Sequence, residues 1–328
     1  MPDEEKTLKE ENKDLSAGYR SPYTVTEGMT VRRTPGNSTA GAKQVYRLFR
    51  RGELWPASIS LMNILFEFGF LTSELIDRAF LSIRPDDEGF ADLPVLSSGK
   101  RKSPYRSITE KLFTYGIVSR YAVLEKTRRW YVYRLSEGAR EWLLAMNRSG
   151  GVVRHPLYCA DGNKTFFSAV GDTLPPEGLM RALSLSQAAI SIRSSYPGLD
   201  VKLGKAGGTM AVTVRSADPE KALIIHRADA SDEGVLETAG FFQALGDEAG
   251  KGLWGSGSPV SVAVLTDGEA AAGDILHPGL LKNARNAYLG IGVMYLFDFM
   301  TFYYDRPLDS LHFYPGEDAK VFELRSWT

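Results

Sequence analysis

Thiols are almost absent: Cys159 is the one cysteine in 328 residues. An internal disulfide is thereby excluded, and such usage matches a reducing compartment. Histidine is scarce as well. His155, His226, His277 and His312 stand far apart, so no pair has the spacing of metal ligands. No apolar run approaches the ~18 residues of a membrane span. Residues 1–14 are charged and lack the apolar stretch of a secretory signal. The expectation is a cytoplasmic protein with no membrane partner, no metal and no cofactor. Excess charge is missing too, the net value being −1. Hydrophobic residues at 43% are enough for a sizeable buried core, and the length suits two domains.

Charge is present in concentrated form. Residues 100–134 hold ten cations, Lys100, Arg101, Lys102, Arg106, Lys111, Arg120, Lys126, Arg128, Arg129 and Arg134. Against them stand two acids, Glu110 and Glu125, which makes the window +8 on a slightly acidic chain. Such a block is either a solvated face or a surface for a polyanion. Its placement on elements decides between these.

Residues 1–41 begin with a Lys/Glu run and continue through Gly, Ser, Thr and Pro. With little apolar surface to bury they read as a flexible arm, and Arg32 and Arg33 could lie along phosphates. Order should start near Lys43. Leu61, Met62, Leu65, Phe66 and Phe68 give a helical stripe over 57–68, which Gly69 stops. Thr72 is a good N-cap for a helix over 73–80. A long loop over 84–99 follows, and Ser103-Pro104 starts a helix over 104–115.

That third helix buries Tyr105, Ile108, Leu112 and Tyr115 and turns Arg106, Ser107, Thr109, Glu110 and Lys111 outward. Gly116 ends it. The runs 117–124 and 129–135 form a hairpin with the basic tip Glu125-Lys126-Thr127-Arg128. Trp130, Tyr131 and Tyr133 along its second strand read as packing residues. Ser136 caps a last helix carrying Ala139, Trp142, Leu143 and Met146.

Three helices, a hairpin and a helix is the order of a winged helix. A helix fits the major groove and a hairpin can reach the adjoining backbone. The expected DNA contacts are Lys100, Arg101, Lys102, Arg106, Ser107, Thr109, Glu110 and Lys111 on the helix and Lys126, Arg128 and Arg129 on the hairpin. The competing reading is a winged helix that assembles proteins.

Three stretches carry a family resemblance: Phe70-Leu71-Thr72-Ser73-Glu74-Leu75-Ile76, then the run from Ser107 to Arg120 (SITEKLFTYGIVSR), then Tyr131 to Ala139 (YVYRLSEGA). Together they resemble the replication-relaxation family, winged-helix proteins of bacterial plasmids and conjugative elements. The resemblance covers residues 70–139. It implies a role in replication, mobilisation or transfer of a mobile element, and an α/β region similar to a nuclease fold after the winged helix.

After Gly150 and Gly151 the composition does turn to α/β patterning. Helices are expected over 179–195, 234–245 and 280–288. Strands are expected over 200–203, 209–215, 222–226 and 259–265, with an aromatic β-like run over 291–304 and a last strand over 321–324. The end of the buried strand, Thr266-Asp267-Gly268, is where α/β sheets place ligands. A metal-dependent nuclease needs paired acids and a lysine. Asp200-Val201-Lys202 is the local match, without a preceding strand Asp; His226 and Asp229 lack the spacing. Residues 204–209 lack phosphate-loop spacing and read as a turn. Cys159 and His226 read as structural.

The chain is therefore expected to comprise an arm (1–41), a winged-helix DNA-binding domain (42–150) and a mixed α/β domain with a central sheet (151–328), nuclease-like and degenerate. Its expected function is that of a non-enzymatic accessory or regulatory protein on double-stranded DNA. Self-association or recruitment of replication and transfer proteins would suit the hydrophobic run 293–304, which a buried central strand explains equally well. The alternative is a Mg-dependent nuclease or nicking enzyme.

Overall fold

The computed structural model of the chain describes residues 21–36, 38–54, 56–81, 105–126, 128–148, 173–196, 198–216, 222–229, 231–251, 260–267, 293–297, 310–313 and 321–323. They combine α and β structure in two sheets, with seven helices among the described residues. They fall into two compact units, one within Val25–Ser186 and the other within Gln187–Thr328 together with residues 21–24.

The first unit opens with a strand, β1 (Thr30–Arg33), and a helix, α1 (Ala42–Arg50). The next helix, α2 (Pro56–Phe68), has proline in its first turn, where a missing N–H costs nothing. From Ser58 to Phe68 every residue is buried, so α2 is a central core helix. Gly69, at φ 76°, turns the chain into β2 (Leu71–Thr72). Thr72 Oγ1 accepts from the Leu75 N–H at 3.2 Å and caps α3 (Ser73–Leu81).

The next described helix is α4 (Arg106–Thr114). Its start is fixed against α3 by Tyr105, whose ring stacks on Phe80 with centroids 3.7 Å apart. Burial, then the Asp77 charge, pushes the Tyr105 hydroxyl up to about 12. Its end is a Schellman motif: the Ile117 N–H donates to Leu112 O and the Gly116 N–H to Phe113 O, with Gly116 at φ 69°.

Two antiparallel strands follow, β3 (Val118–Glu125) and β4 (Arg128–Leu135), closed by a two-residue loop between the paired Glu125 and Arg128. Ser136 Oγ accepts from the Ala139 N–H and caps α5 (Glu137–Arg148). Phe49 of α1 packs on Trp142 of α5, centroids 5.3 Å apart. The unit's sheet, completed by β5 (Thr173–Leu174), has the order β2-β4-β3-β1-β5.

Order begins earlier than the sequence suggests, and the expectation that residues 1–41 form a flexible arm is corrected over the described residues 21–36 and 38–41. Val31 of β1 is 2% exposed and pairs with Val123. The following segment is tied to the unit by Thr34 N–H to Arg120 O (2.8 Å) and Ala40 N–H to Gly116 O (2.9 Å). Two glycines make room for it. A Cβ at Gly116 would lie 2.2 Å from Ser38 O, and one at Gly138 would lie 2.3 Å from Ala40 O.

The second unit holds the later part of α6 (Pro176–Ser195), the division falling between Ser186 and Gln187. Three antiparallel strands follow, β6 (Asp200–Ala206), β7 (Thr209–Arg215) and β8 (Ala222–Arg227). From β8 the chain crosses through α7 (Asp232–Gly250) to β9 (Val260–Thr266), which pairs parallel to β8. β10 (Val293–Phe297) is parallel to β9, while β11 (Ser310–Phe313) and β12 (Val321–Glu323) are antiparallel additions.

The sheet thus runs β12-β11-β10-β9-β8-β7-β6, the mixed central sheet expected from the pattern. Phe241, Phe242 and Leu245 of α7 pack on Ile224, Val262 and Val264 to form its core. The turn expected over 204–209 is confined to residues 207–208, both glycines at positive φ, because β6 runs on to Ala206 and β7 starts at Thr209. The unit division at Ser186 lies well beyond residue 150, where the composition changes. The expected loop 84–99, the helix start at Ser103-Pro104, the helix over 280–288, and Cys159, His155 and His277 lie outside the described residues.

Candidate nucleic-acid interface

Helix α4 presents three faces, and each meets something different. Tyr105, Thr109 and Leu112, four and three residues apart, point into the core, being 5%, 4% and 0% exposed. Thr109 was expected outward as a DNA contact. It is buried instead, because its hydroxyl donates to Tyr105 O at 2.9 Å and satisfies itself within the helix. Ile108 and Tyr115, expected inward, are only half-buried.

On one flank, Glu110 and Phe113 meet the hairpin. Arg120 of β3 donates to Glu110 Oε1 at 3.1 Å, and its guanidinium lies 4.3 Å from the Phe113 ring centroid. On the other flank, Lys111 and Tyr115 meet the corner between α1 and α2. Lys111 Nζ donates to Glu53 O at 3.2 Å and sits 5.6 Å over the Tyr115 ring. A hydrogen bond with the Glu53 carboxylate, followed by desolvation and the Glu53 charge, raises the Tyr115 hydroxyl above its ordinary value. With 3.6 residues per turn, the midpoints of these flanks lie roughly 150° apart around the helix. The arc between them carries Ser107 and Thr114, while Arg106 falls on the hairpin flank one turn before Glu110; all three are exposed.

The hairpin adds the second group of cations. Lys126, Arg128 and Arg129 are exposed at or beside its tip. Paired residues of antiparallel strands share a face. One face buries Val31, Val123 and Val132; the other carries the row Arg32, Ala122, Tyr131 and the row Leu124, Arg129. Tyr131 stands between two cations, its ring centroid 4.9 Å from the Arg120 guanidinium and 5.2 Å from that of Arg129. Such contacts contribute about 0.5–1 kcal/mol each at exposed sites and here restrict where Arg129 can swing.

The sequence-predicted residues therefore separate into groups. Arg106, Ser107, Lys126, Arg128 and Arg129 lie exposed on α4 and the hairpin. Glu110 and Lys111 are half-buried and occupied with Arg120 and Glu53 O. Lys100, Arg101 and Lys102 lie outside the described residues. Arg134, part of the positive block, is internal at 6% exposed, with the Phe70 ring 5.4 Å away. Burial, then the Arg140 charge, pulls its pKa down, while Tyr121 hydrogen-bonds it.

Sequence reasoning missed Thr114, which lies on the exposed arc of α4, and the basic run on α1. A signal for the latter exists: between Glu27 and Glu53 there is no acid, and the interval holds six cations, Arg32, Arg33, Lys43, Arg47, Arg50 and Arg51. Residues 33–36, 38 and 39 also line a cleft of about 510 Å³ with Phe113, Gly116, Val118 and Ser119, beside the end of α4.

In the second unit the nuclease candidate takes a different form. Asp200 and Lys202, at the exposed start of β6, pair with each other at 3.0 Å. Among the described residues no three or more of His, Cys, Asp and Glu group to hold a metal. His226 is 1% exposed, stacked on Phe241, with threonine hydroxyls 3.4 and 3.5 Å from its two ring nitrogens.

Arg227, 2% exposed, is bonded to Asp267 and lies 3.6 Å from Asp229, joining the ends of the parallel strands β8 and β9. Thr24 donates to the other Asp267 oxygen at 3.0 Å, so Asp267, at the end of β9, is engaged in an internal ion-pair network. No helix among the described residues is long and apolar enough to cross a membrane. No protein-family model, no curated protein and no solved structure matches the chain.

Proposed function

We propose that the chain binds double-stranded DNA through a winged helix formed by α2, β2, α3, α4, β3 and β4, as a non-enzymatic accessory or regulatory protein. The supporting observation is the exposed side of α4, with Ser107 outermost and Arg106 toward the hairpin, beside a hairpin tip that carries Lys126, Arg128 and Arg129. The short β2 strand, paired to β4 on the side away from β3, is consistent with this reading. A rod of this width enters the major groove, and the hairpin cations then face phosphates, which position a protein without specifying sequence. A cytoplasmic role in plasmid or mobile-element replication or transfer is the biological setting we attach to it, on the resemblance over residues 70–139.

The test is duplex affinity of the full chain across a salt series. Neutralising about four or five phosphates gives a log–log slope near −4. A slope near zero, or binding indifferent to Arg106→Ala with Arg128→Ala, leaves the protein-assembly reading in its place. Mg²⁺-dependent cleavage abolished by Asp200→Ala would instead favour the nuclease.

A further inference from the structure

The cationic stretch on α1 has no part in the reading so far, yet the fold places it with care. The helix buries Val45 and Leu48 and exposes Lys43, Tyr46, Arg47 and Arg50, with Arg51 following. It closes in a Schellman motif: the Glu53 N–H donates to Leu48 O and the Gly52 N–H to Phe49 O, with Gly52 at φ 72°. That motif fixes the backbone of Glu53, whose carbonyl accepts from Lys111 of α4 and whose carboxylate meets Tyr115.

Arg50 and Arg51 thus leave the chain two or three residues from a point clamped to α4. Cations at a helix C-terminus favour the helix dipole, which accounts for the sign of Arg47 and Arg50 but not for Lys43 or for the lack of any acid over residues 28–52. The ion pair of Arg51 with Glu53 spans 3.9 Å with the arginine side chain 71% exposed, too loose and too wet to be its purpose.

The clamp lies on the flank of α4 that faces away from β3. A helix seated in a major groove has a phosphate ridge on each side. The hairpin occupies one flank, and the α1–α2 corner occupies the other. We infer that this corner is a second phosphate clamp, in which Arg47, Arg50 and Arg51 meet the duplex backbone opposite the hairpin, so that α4 is gripped from both sides. This rests on the DNA-binding reading above and names a contact that reading lacks.

The experiment uses the full chain and a labelled duplex, titrated by fluorescence anisotropy over a salt series. Arg47→Gln/Arg50→Gln/Arg51→Gln is compared with Arg128→Gln/Arg129→Gln and with the parent. The expected result is a loss of at least about tenfold in affinity for the triple variant, with a salt slope shallower by about 2 to 3. The charge-preserving Arg47→Lys/Arg50→Lys/Arg51→Lys should keep affinity near the parent's, which separates phosphate contact from a folding defect.

Parental affinity and slope in the glutamine triple, with a loss in the hairpin variant, would overturn the clamp and leave the DNA reading standing. Loss in the lysine triple would also overturn it, since charge alone is what the clamp requires. A parent chain that shows no salt-dependent duplex binding removes both at once.

Discussion

Two hairpins among the described residues have two-residue loops, and they meet the same backbone demand with opposite residues. In β6–β7 the pairing runs to Ala206 and Thr209, and the loop is Gly207-Gly208 at φ 54° and 78°. In β3–β4 the pairing runs to Glu125 and Arg128, and the first loop residue is Lys126 at φ 34°. Tight hairpin loops need positive φ, which glycine adopts without strain and lysine does not. The first hairpin is built for packing: a Cβ at Gly207 would sit 2.5 Å from the Phe241 ring and 2.7 Å from its carbonyl oxygen. The second keeps a long cation at the tip where glycine would be the easier choice. A strained residue that persists in an exposed loop is a pointer to use, and here the use we propose is phosphate contact.

The largest effect is expected at Gly207. Gly207→Ala combines a disfavoured φ with a collision against backbone, and should cost about 3 kcal/mol in chemical denaturation. A loss below about 1 kcal/mol would mean that Phe241 and its helix α7 give way easily, and that the turn is not a packing device. Next in size is Arg128→Gln with Arg129→Gln. Duplex affinity should fall about tenfold and the salt slope flatten by about 2, with the melting curve unmoved because both side chains are exposed.

Lys126→Gly should move stability and affinity in opposite directions. Relief of strain should raise stability by about 0.5 kcal/mol while affinity drops a few-fold. If stability and binding moved in the same direction, strain retained for function would be the wrong description of that loop. Smallest of all should be Gly208→Asn. Nothing lies within 4 Å of a Cβ there, and asparagine tolerates positive φ, so a change within about 1 kcal/mol is expected.

What could be read from the chain was whatever repeats locally. The apolar stripe of α2, the Thr72 cap, the Gly116 stop and the alternation of β3 and β4 all lie within a few residues of what they specify. β1 was not legible. Val31 is its one buried residue, and its partner Val123 is some ninety positions later, so no local period betrays it. α1 was missed because two buried residues, Val45 and Leu48, make too faint a stripe in nine.

Thr109 misled in another way. Its hydroxyl looks like a surface group until it donates to the Tyr105 carbonyl, and the buried face of α4 then centres on Thr109 rather than Ile108. Arg227 is another such case: nothing local marks this charge as buried, and Asp229 and Asp267, from the ends of two different strands, converge on it. Side chains satisfied by distant partners escape a reading that moves along the chain.

The docking of β1 onto β3 bears on how this protein should be handled. A fragment that starts at residue 42, the natural cut if residues 1–41 were dispensable, would strip β3 of its neighbour and leave a row of amides and carbonyls along it without partners. Unprotected borders of that kind recruit other chains. Such a fragment would be prone to aggregate, and a failed binding assay on it would report the missing strand rather than the absence of affinity.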